Sequence, residues 1–279
     1  QRQMCIRDSV NIPTVSNNIS NVAKTDSSLT EDTNLSASGK MDVEAVATAA
    51  LPAMVQLNGT TTVKNSSYFG YGQSYEATSS GTGIIVGKSD TELLIVTNAH
   101  VVDNIDNLKC VFSDGTSASC SVKGSKSDQD IAVAAVSLSD ISSDTASNIA
   151  IAELEDSSDI KVGQQVVAIG NALGEGQSVT TGIISAKDRS ITVNNVTFTG
   201  LLMTDAAINS GNSGGALLNS EGKVIAINFA KTSSDGVEGM AYSIPVSNVK
   251  DIIDSLMTKQ TRNKVSSCLL YTSPSPRDR

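Results

Sequence analysis

The residues best placed for chemistry are one histidine, one aspartate and one serine in a glycine-rich segment. His100 is the only histidine in the chain, so any reaction that needs an imidazole group must use it. It follows an apolar run that ends in Thr97-Asn98-Ala99, and Asp130 opens a second apolar run. Ser213 lies within Gly211-Asn212-Ser213-Gly214-Gly215, where small neighbours let a substrate backbone approach and let N–H groups point at an oxyanion. These residue types indicate nucleophilic catalysis by serine.

The chain order of these groups separates two kinds of serine hydrolase. The same glycine-rich letters fit the G-x-S-x-G elbow, but that elbow needs an acid and then a histidine after the serine, and no histidine follows His100. The observed order, His100, Asp130 and Ser213, is that of chymotrypsin. Considered singly, His100 could be a structural histidine and the segment around Ser213 a loose glycine turn. The occurrence of His100, Asp130 and Ser213 in this order favours catalysis.

The elements that must position these residues are short strands. A stretch from 139 to 161 divides two sets of apolar, β-branched runs separated by Gly, Asn and Asp turns. Many short strands with little helix predict an all-β barrel or sandwich architecture. The predicted strands are 83–86, 93–97, 108–112, 118–122 and 131–138, then 165–169, 179–185, 191–198, 201–203, 216–218, 224–229 and 240–244.

Two helices are predicted, one before and one after the strands. Asp42 can cap a short helix, Val43–Leu51, which Pro52 ends. Ser247 can cap a final helix that packs on a barrel, with apolar residues on one face at Val249, Ile252, Ile253, Leu256 and Met257.

Over about residues 41–260 the sequence resembles the HtrA/Deg family of trypsin-like serine proteases. The run Thr204-Asp205-Ala206-Ala207-Ile208-Asn209 before Gly-Asn-Ser-Gly-Gly is shared with few other proteases. Ala172 and Ser210 depart from the family, in which proline is common at both positions, and neither change removes a functional group. The resemblance implies a chymotrypsin-like double β-barrel. It rests on the segments Thr97–Val102, Asp130–Val133, Ala168–Gly174 and Thr204–Leu217.

The resemblance also implies a role for each candidate residue. Ser213 would be the nucleophile, His100 its general base and then acid, and Asp130, rather than Asp128 in the preceding polar turn, the group that orients the imidazole. Backbone N–H groups of Gly211 and Ser213 would form an oxyanion hole, with the Asn212 amide as a third donor.

The resemblance also leads to expectations about substrate preference and regulation. Digestive relatives carry an acid six residues before the serine, and here that position is Ala207, so we expect a small or medium aliphatic residue before the scissile bond rather than Lys or Arg. Asn212 replaces the aspartate of zymogen-activated relatives, which disfavours activation by N-terminal trimming. The mobile-loop candidate is 231–239. The residues expected to line the pocket are Ile208, Asn228, Phe229 and Ala230.

Composition excludes several other functions. The chain has 279 residues, a net charge of −9, 3% aromatic residues and no Trp, which argues against a nucleic-acid binder or an anionic-membrane binder. No apolar run is long enough to span a bilayer. The chain has one histidine, and two of its four cysteines, Cys5 and Cys268, lie in terminal segments that we expect to be artefacts. With so few ligands left, we expect neither a metal site nor a cofactor. Cys110 and Cys120 flank a turn and could form a disulfide or remain two buried thiols.

Both ends of the chain resemble the translated sequence of a sequencing-library adapter. Residues 4–9 can be encoded by ATGTGTATAAGAGACAG plus one base, and the reverse complement of that adapter encodes Cys-Leu-Leu-Tyr-Thr-Ser, the sequence of 268–273. We therefore expect 1–9 and 268–279 to be artefacts. The expected organisation between them is a Ser/Thr/Asn-rich disordered linker at 10–40, barrels at 41–145 and at 146–260 with the final helix, and a linker start at 261–267.

The family resemblance implies a setting for the protein. It suggests a bacterial, extracytoplasmic homotrimer that degrades unfolded or misfolded proteins, with a membrane anchor and a PDZ domain outside this chain. Two alternatives use the same fold. One is a chaperone or binding scaffold without turnover, which the complete set of catalytic residue types disfavours. The other is a glutamyl-type endopeptidase, which the single histidine and the 204–208 run disfavour.

Overall fold

A computed structural model describes residues 41–64, 74–171, 176–229 and 240–259. The predicted segments 1–9, 10–40, 261–267 and 268–279, the loop 231–239 and Ala230 lie outside these residues. The described strands are β1 (Met54–Lys64), β2 (Ser74–Lys88), β3 (Glu92–Thr97), β4 (Asn107–Val111), β5 (Ser117–Lys126), β6 (Ile131–Ser137), β7 (Gln165–Gly170), β8 (Ser178–Val193), β9 (Val196–Thr204), β10 (Ala216–Leu218), β11 (Val224–Phe229) and β12 (Ala241–Pro245).

The strands form two closed antiparallel barrels. The first has the order β1-β2-β3-β6-β5-β4 and the second the order β10-β11-β12-β9-β8-β7. Pairing of β1 with β4 closes the first barrel, and pairing of β10 with β7 closes the second. The predicted double-barrel fold with a helix at each end is therefore confirmed.

Alternate residues of β6 contribute to two different cores, which explains why this strand is apolar on both faces. Ala132, Ala134 and Val136 pack inside the first barrel. Ile131 and Val133 instead join a second cluster that includes residues of the other barrel, such as Val167 and Ile169. This shared cluster joins the barrels, because both would otherwise leave apolar strand faces in water.

The first and last helices pack against this shared core, and the two between them pack against the core of the first barrel. They are α1 (Val43–Ala50), α2 (Ala99–Val102), α3 (Ser143–Asn148) and α4 (Val246–Met257), with short 3₁₀ turns at Leu51–Ala53 and Leu138–Asp140. Asp42 caps α1 as predicted, accepting the Ala45 N–H at 3.0 Å. No helix in the described ranges is long and apolar enough to cross a membrane.

The predicted cap of the final helix is wrong. Helix α4 begins at Val246 with Pro245 at the capping position, so Ser247 lies in its first turn. The Ser247 hydroxyl instead binds the Asp156 carboxylate at 2.8 Å, which ties α4 to the segment between the barrels. The apolar face is as predicted, since Val249, Ile253 and Leu256 are buried.

Cys110 and Cys120 are free, buried thiols in the core of the first barrel. On the paired strands β4 and β5, Cys110 faces Ala118 and Leu108 faces Cys120, so the two cysteines are diagonal neighbours rather than directly opposed. Of the two alternatives that the sequence left open, the structure has the thiols.

Candidate active site

His100 lies in the short helix α2, which begins two residues after the end of β3. Asn98 is extended, and Ala99–Val102 form a single helical turn, α2, in which Ala99, Val101 and Val102 are buried. The buried neighbours fix the turn in the first barrel, while the side chain of His100 keeps 27% exposure. The imidazole is therefore held by its backbone and remains accessible on one side.

Asp130 holds both the backbone and the ring of His100. Its Oδ2 lies 2.6 Å from His100 Nδ1, and its Oδ1 accepts the His100 backbone N–H at 3.0 Å. Its carbonyl oxygen accepts the Ala99 N–H at 3.1 Å and the Asn98 side-chain amide at 3.0 Å. Because an ionised carboxylate only accepts hydrogen bonds, Nδ1 carries the hydrogen and Nε2 is left as the basic nitrogen.

The backbone of Asp130 is in an uncommon conformation. Its φ is +52°, in the left-handed region, and its side chain is 2% exposed. Aspartate tolerates this region better than most residues, at a cost that the surrounding hydrogen bonds must offset. Such outliers concentrate at functional sites, where the fold holds a side chain in a required direction.

Asp128, the competing acid, is paired with Lys126 at the surface. Its side chain is 58% exposed and lies 3.0 Å from Lys126 Nζ. The hydrogen bond from Lys126 lowers the pKa of the Asp128 carboxyl. Asp130 is thus the acid that the fold brings to the histidine.

Ser213 lies in a tight, buried loop between the barrels. Gly211 and Gly214 have φ values of +98° and +81°, which favour glycine on both sides of the serine. At Gly214 a Cβ atom would come within 2.3 Å of the Thr82 carbonyl oxygen, so no larger residue fits. Ser213 is 5% exposed. The glycines predicted to surround a nucleophile are required here by geometry.

Two sets of hydrogen bonds join this loop to the segments around His100. The Thr82 N–H of β2 donates to the Ser213 carbonyl at 2.9 Å, and the Thr97 hydroxyl of β3 donates to the Thr82 carbonyl at 2.7 Å. The Gly214 N–H donates to the Asn228 carbonyl at 3.0 Å, and Phe229, the next residue, has its ring edge-on to His100. The structure thus brings His100, Asp130 and the Ser213 loop to one place.

Asn212 is arranged differently from the expected third oxyanion donor. Its backbone N–H donates to the Asn209 carbonyl at 3.0 Å, and its side-chain amide lies 3.4 Å from the Ala207 carbonyl. A donor already engaged within its own loop does not point at a substrate oxygen. The hydrogen bonds of Asn212 thus give no support to its role as a third donor, and the oxyanion hole of Gly211, Asn212 and Ser213 stays a prediction.

Two residues of the predicted pocket, Asn228 and Phe229, have buried side chains. Asn228 is fully buried, and its side-chain amide donates to the carbonyls of Ala216 at 3.0 Å and Ile169 at 3.3 Å. Phe229 is 1% exposed, so neither side chain lines an open pocket. The strand turns both into the fold. Ile208 is partly exposed and packs beside the second-barrel core, which leaves it as the described pocket candidate.

Thr82 was not identified from the sequence as a residue of this site. Its hydroxyl donates to the Gly211 carbonyl at 2.8 Å and accepts the Asn171 N–H at 2.8 Å. A threonine in a strand has no local signal of this kind, since its partners come from the other barrel.

The known proteins that this chain is similar to are named as serine proteases. Residues 81–227 match the family described as the trypsin-like peptidase domain. The chain is 38% identical to Serine protease Do-like HtrA of Bacillus subtilis (strain 168) over 217 residues, 75% of this chain and 47% of that protein. It is 37% identical to Periplasmic serine endoprotease DegP of Escherichia coli (strain K12) over 189 residues, 67% of this chain and 38% of that protein. The chain thus spans less than half the length of these relatives.

Solved structures give the same result. The HtrA-type protease AlgW with decapeptide is 30% identical, has a TM-score of 0.62, and is matched over 77% of this chain and 67% of its own. AlgW with tripeptide gives 31% identity and a TM-score of 0.63 over 77% and 64% of the two chains. The chain belongs to the trypsin-like peptidase family and, within it, to the HtrA-type serine proteases.

Proposed function

We propose that this chain is a serine endopeptidase in which Ser213 attacks the peptide carbonyl. The observation that carries the proposal is the pair of bonds from Asp130 to His100, at 2.6 Å to Nδ1 and 3.0 Å to the backbone N–H. This arrangement presents Nε2 as a base and stabilises the imidazolium that forms when the base accepts a proton.

The reaction proceeds in two halves. His100 Nε2 removes the Ser213 Oγ proton as Oγ bonds to the carbonyl carbon, and the carbonyl oxygen becomes an oxyanion bound by the Gly211 and Ser213 N–H groups. The imidazolium then protonates the leaving amine, and the C–N bond breaks to give an acyl-enzyme. Water then gives a proton to His100 as its oxygen bonds to the acyl carbon. The bond from the acyl carbon to Ser213 Oγ breaks, the imidazolium returns the proton to Oγ, and the carboxylic acid product leaves.

The substrate we propose is an extended segment of an unfolded or misfolded protein, with a small or medium aliphatic residue before the scissile bond. Ala207 and Ile208 support this preference, because the first supplies no negative charge for Lys or Arg and the second is apolar and partly exposed. The AlgW structures named with a decapeptide and a tripeptide support peptide substrates.

We further propose an extracytoplasmic homotrimer with a role in protein quality control, tethered by an anchor outside this chain. The relative named a periplasmic serine endoprotease supports the location. Sedimentation of the purified chain would give a trimer mass if the oligomeric state is right, and a monomer mass would contradict it.

The test is cleavage of casein by the wild-type chain and by Ser213→Ala. The wild type should cleave casein and bind a fluorophosphonate covalently, while Ser213→Ala should do neither and keep the same thermal unfolding midpoint. Ser210→Ala, an exposed serine three residues away, is the matched control and should label as the wild type does. A wild type that binds casein without cleaving it would support the scaffold alternative instead.

A further inference from the structure

Thr82 contacts the Ser213 loop from the opposite barrel through its backbone and its side chain together. It lies in β2, is 1% exposed, and its hydroxyl is within hydrogen-bonding distance of two backbone groups of the second barrel. The inference drawn from it rests on the proposed peptidase function and concerns how the oxyanion hole is held in shape.

Two carbonyl groups of the loop are held by this one residue. The Thr82 N–H donates to the Ser213 carbonyl at 2.9 Å, and its hydroxyl donates to the Gly211 carbonyl at 2.8 Å. The other end of the Gly211–Asn212 peptide is also held, because the Asn212 N–H donates to Asn209 at 3.0 Å. This peptide plane is therefore bonded at both of its polar atoms.

The fixed plane matters because it adjoins the Gly211 N–H, one of the two proposed oxyanion donors. Gly211 has a φ of +98° and no Cβ, so its own torsions resist rotation weakly. If the Gly211 carbonyl lost its donor, the neighbouring N–H could turn away from the position of the developing oxyanion. An oxyanion hole works only when its donors are already oriented.

The same hydroxyl joins the loop to the end of β7. It accepts the Asn171 N–H at 2.8 Å, so one hydroxyl uses its hydrogen and a lone pair on two segments. At Gly170 a Cβ would lie 2.7 Å from the Asn212 Cα, which shows how closely β7 approaches the loop. The Thr97 hydroxyl donates to the Thr82 carbonyl at 2.7 Å, and this bond connects Thr82 to β3, the strand that leads to His100.

We propose that the Thr82 hydroxyl is a positioning group for the reaction: it sets the orientation of the Gly211–Asn212 peptide and so holds the oxyanion hole formed by Gly211 and Ser213. Thr82 touches no reacting atom. Its contribution passes through the loop, so it should affect the rate of the chemical step and leave substrate binding nearly unchanged.

The experiment compares Thr82→Val with Thr82→Ser on a chromogenic peptide. Valine keeps the shape and the backbone N–H but can neither donate to Gly211 nor accept from Asn171, whereas serine can do both. Loss of a direct oxyanion donor lowers kcat about 10²–10³-fold, so a misdirected donor should lower the kcat of Thr82→Val about 10- to 100-fold. KM should stay within about 3-fold, since a group acting only in the transition state leaves it unchanged. Thr82→Ser should restore kcat.

The matched control is Thr145→Val, which removes another buried threonine hydroxyl, bonded to Ser142 at 2.8 Å in the first barrel. It should lose stability without losing kcat. If Thr82→Val does not fold, Thr82→Ala removes the same hydroxyl without a branched replacement and carries the same expectation. Full kcat in folded Thr82→Val or Thr82→Ala overturns the inference, and so does a loss of kcat in Thr82→Ser equal to that in Thr82→Val. In either case an active wild type still upholds the proposed function. A wild type without hydrolysis or fluorophosphonate labelling overturns both.

Discussion

The ring of Phe229 meets the ring of His100 edge-on, with centroids 6.3 Å apart and planes at 84°. Phe229 also packs against Phe198, whose ring centroid is 5.0 Å away. Phe229 directly follows Asn228, whose carbonyl accepts the Gly214 N–H of the Ser213 loop. A single stretch of β11 therefore contacts both the proposed base and the loop of the proposed nucleophile.

Phe229→Leu tests this contact. Leucine keeps the position apolar but loses the ring edge, and aromatic pairs contribute about 0.5–1.5 kcal/mol beyond their burial, so we expect kcat to fall about 2- to 10-fold. The preferred residue before the scissile bond should not change, because Phe229 is buried away from an open pocket. Peptide-library profiling and steady-state kinetics measure both effects. Phe112→Leu, the same change in the first-barrel core, should leave kcat unaltered, and a shifted substrate preference in Phe229→Leu would contradict the contact's assigned role.

Asp130→Asn should nearly abolish turnover. Asparagine keeps the size of the side chain but offers an N–H toward Nδ1, which favours the wrong imidazole tautomer, and this change costs about 10⁴-fold in kcat in enzymes of this type. Asp128→Asn is the control, since Asp128 is 58% exposed and paired with Lys126, and it should be as active as the wild type. Peptide hydrolysis by the two variants measures the difference, and the reverse ranking would assign the orienting role to Asp128.

The features that the sequence predicts well are local ones. Glycines on both sides of Ser213, the connection from β3 to His100 and the Asp42 cap each involve residues within a few positions of one another. Chain order then excluded the hydrolase elbow without any structure. Such features could be predicted because a turn or a cap is decided largely by the residues that form it.

The features that the sequence did not predict depend on contacts between the barrels. Thr82 and Gly211 are 129 residues apart, and nothing near either one indicates their hydrogen bond. The burial of the Asn228 and Phe229 side chains could not be predicted, because the face that a strand residue presents depends on how β11 pairs and how the barrel closes. At Ser247, the Asp156 carboxylate binds the hydroxyl that local rules assign to a helix cap.

The ion pair of Lys123 with Glu92 should contribute to stability only while both partners are present. The Lys123 side chain is 6% exposed and that of Glu92 24% exposed, so removal of one partner leaves a charge in a poorly hydrated site. We expect Glu92→Gln to lower the free energy of unfolding by about 1–3 kcal/mol, less than for a fully buried pair because Glu92 is partly hydrated. The double variant Lys123→Met/Glu92→Leu should recover most of the free energy of unfolding that Glu92→Gln loses. Urea unfolding measures it, with exposed Lys250→Met, whose partner is Asp254 at 3.0 Å, as a control that changes little. No recovery in the double variant would contradict the assignment.

The two buried thiols should make stability fall at alkaline pH. Burial, and for Cys110 also the neighbouring thiol, raises the pKa of both cysteines, that of Cys120 to about 12. In the unfolded chain a thiol has a pKa of about 8.5, so the contribution of these thiols is complete below that pH and is lost as the pH rises toward the folded values. The free-energy advantage of the wild type over Cys110→Ala/Cys120→Ala should therefore shrink above pH 9, by at most about 1.4 kcal/mol per thiol for each pH unit. Unfolding in urea from pH 7 to pH 11 measures this, in a background where Cys5 and Cys268 are serine. An advantage that stays constant across that range would mean that the thiols are ionised as readily in the folded chain as in the unfolded one.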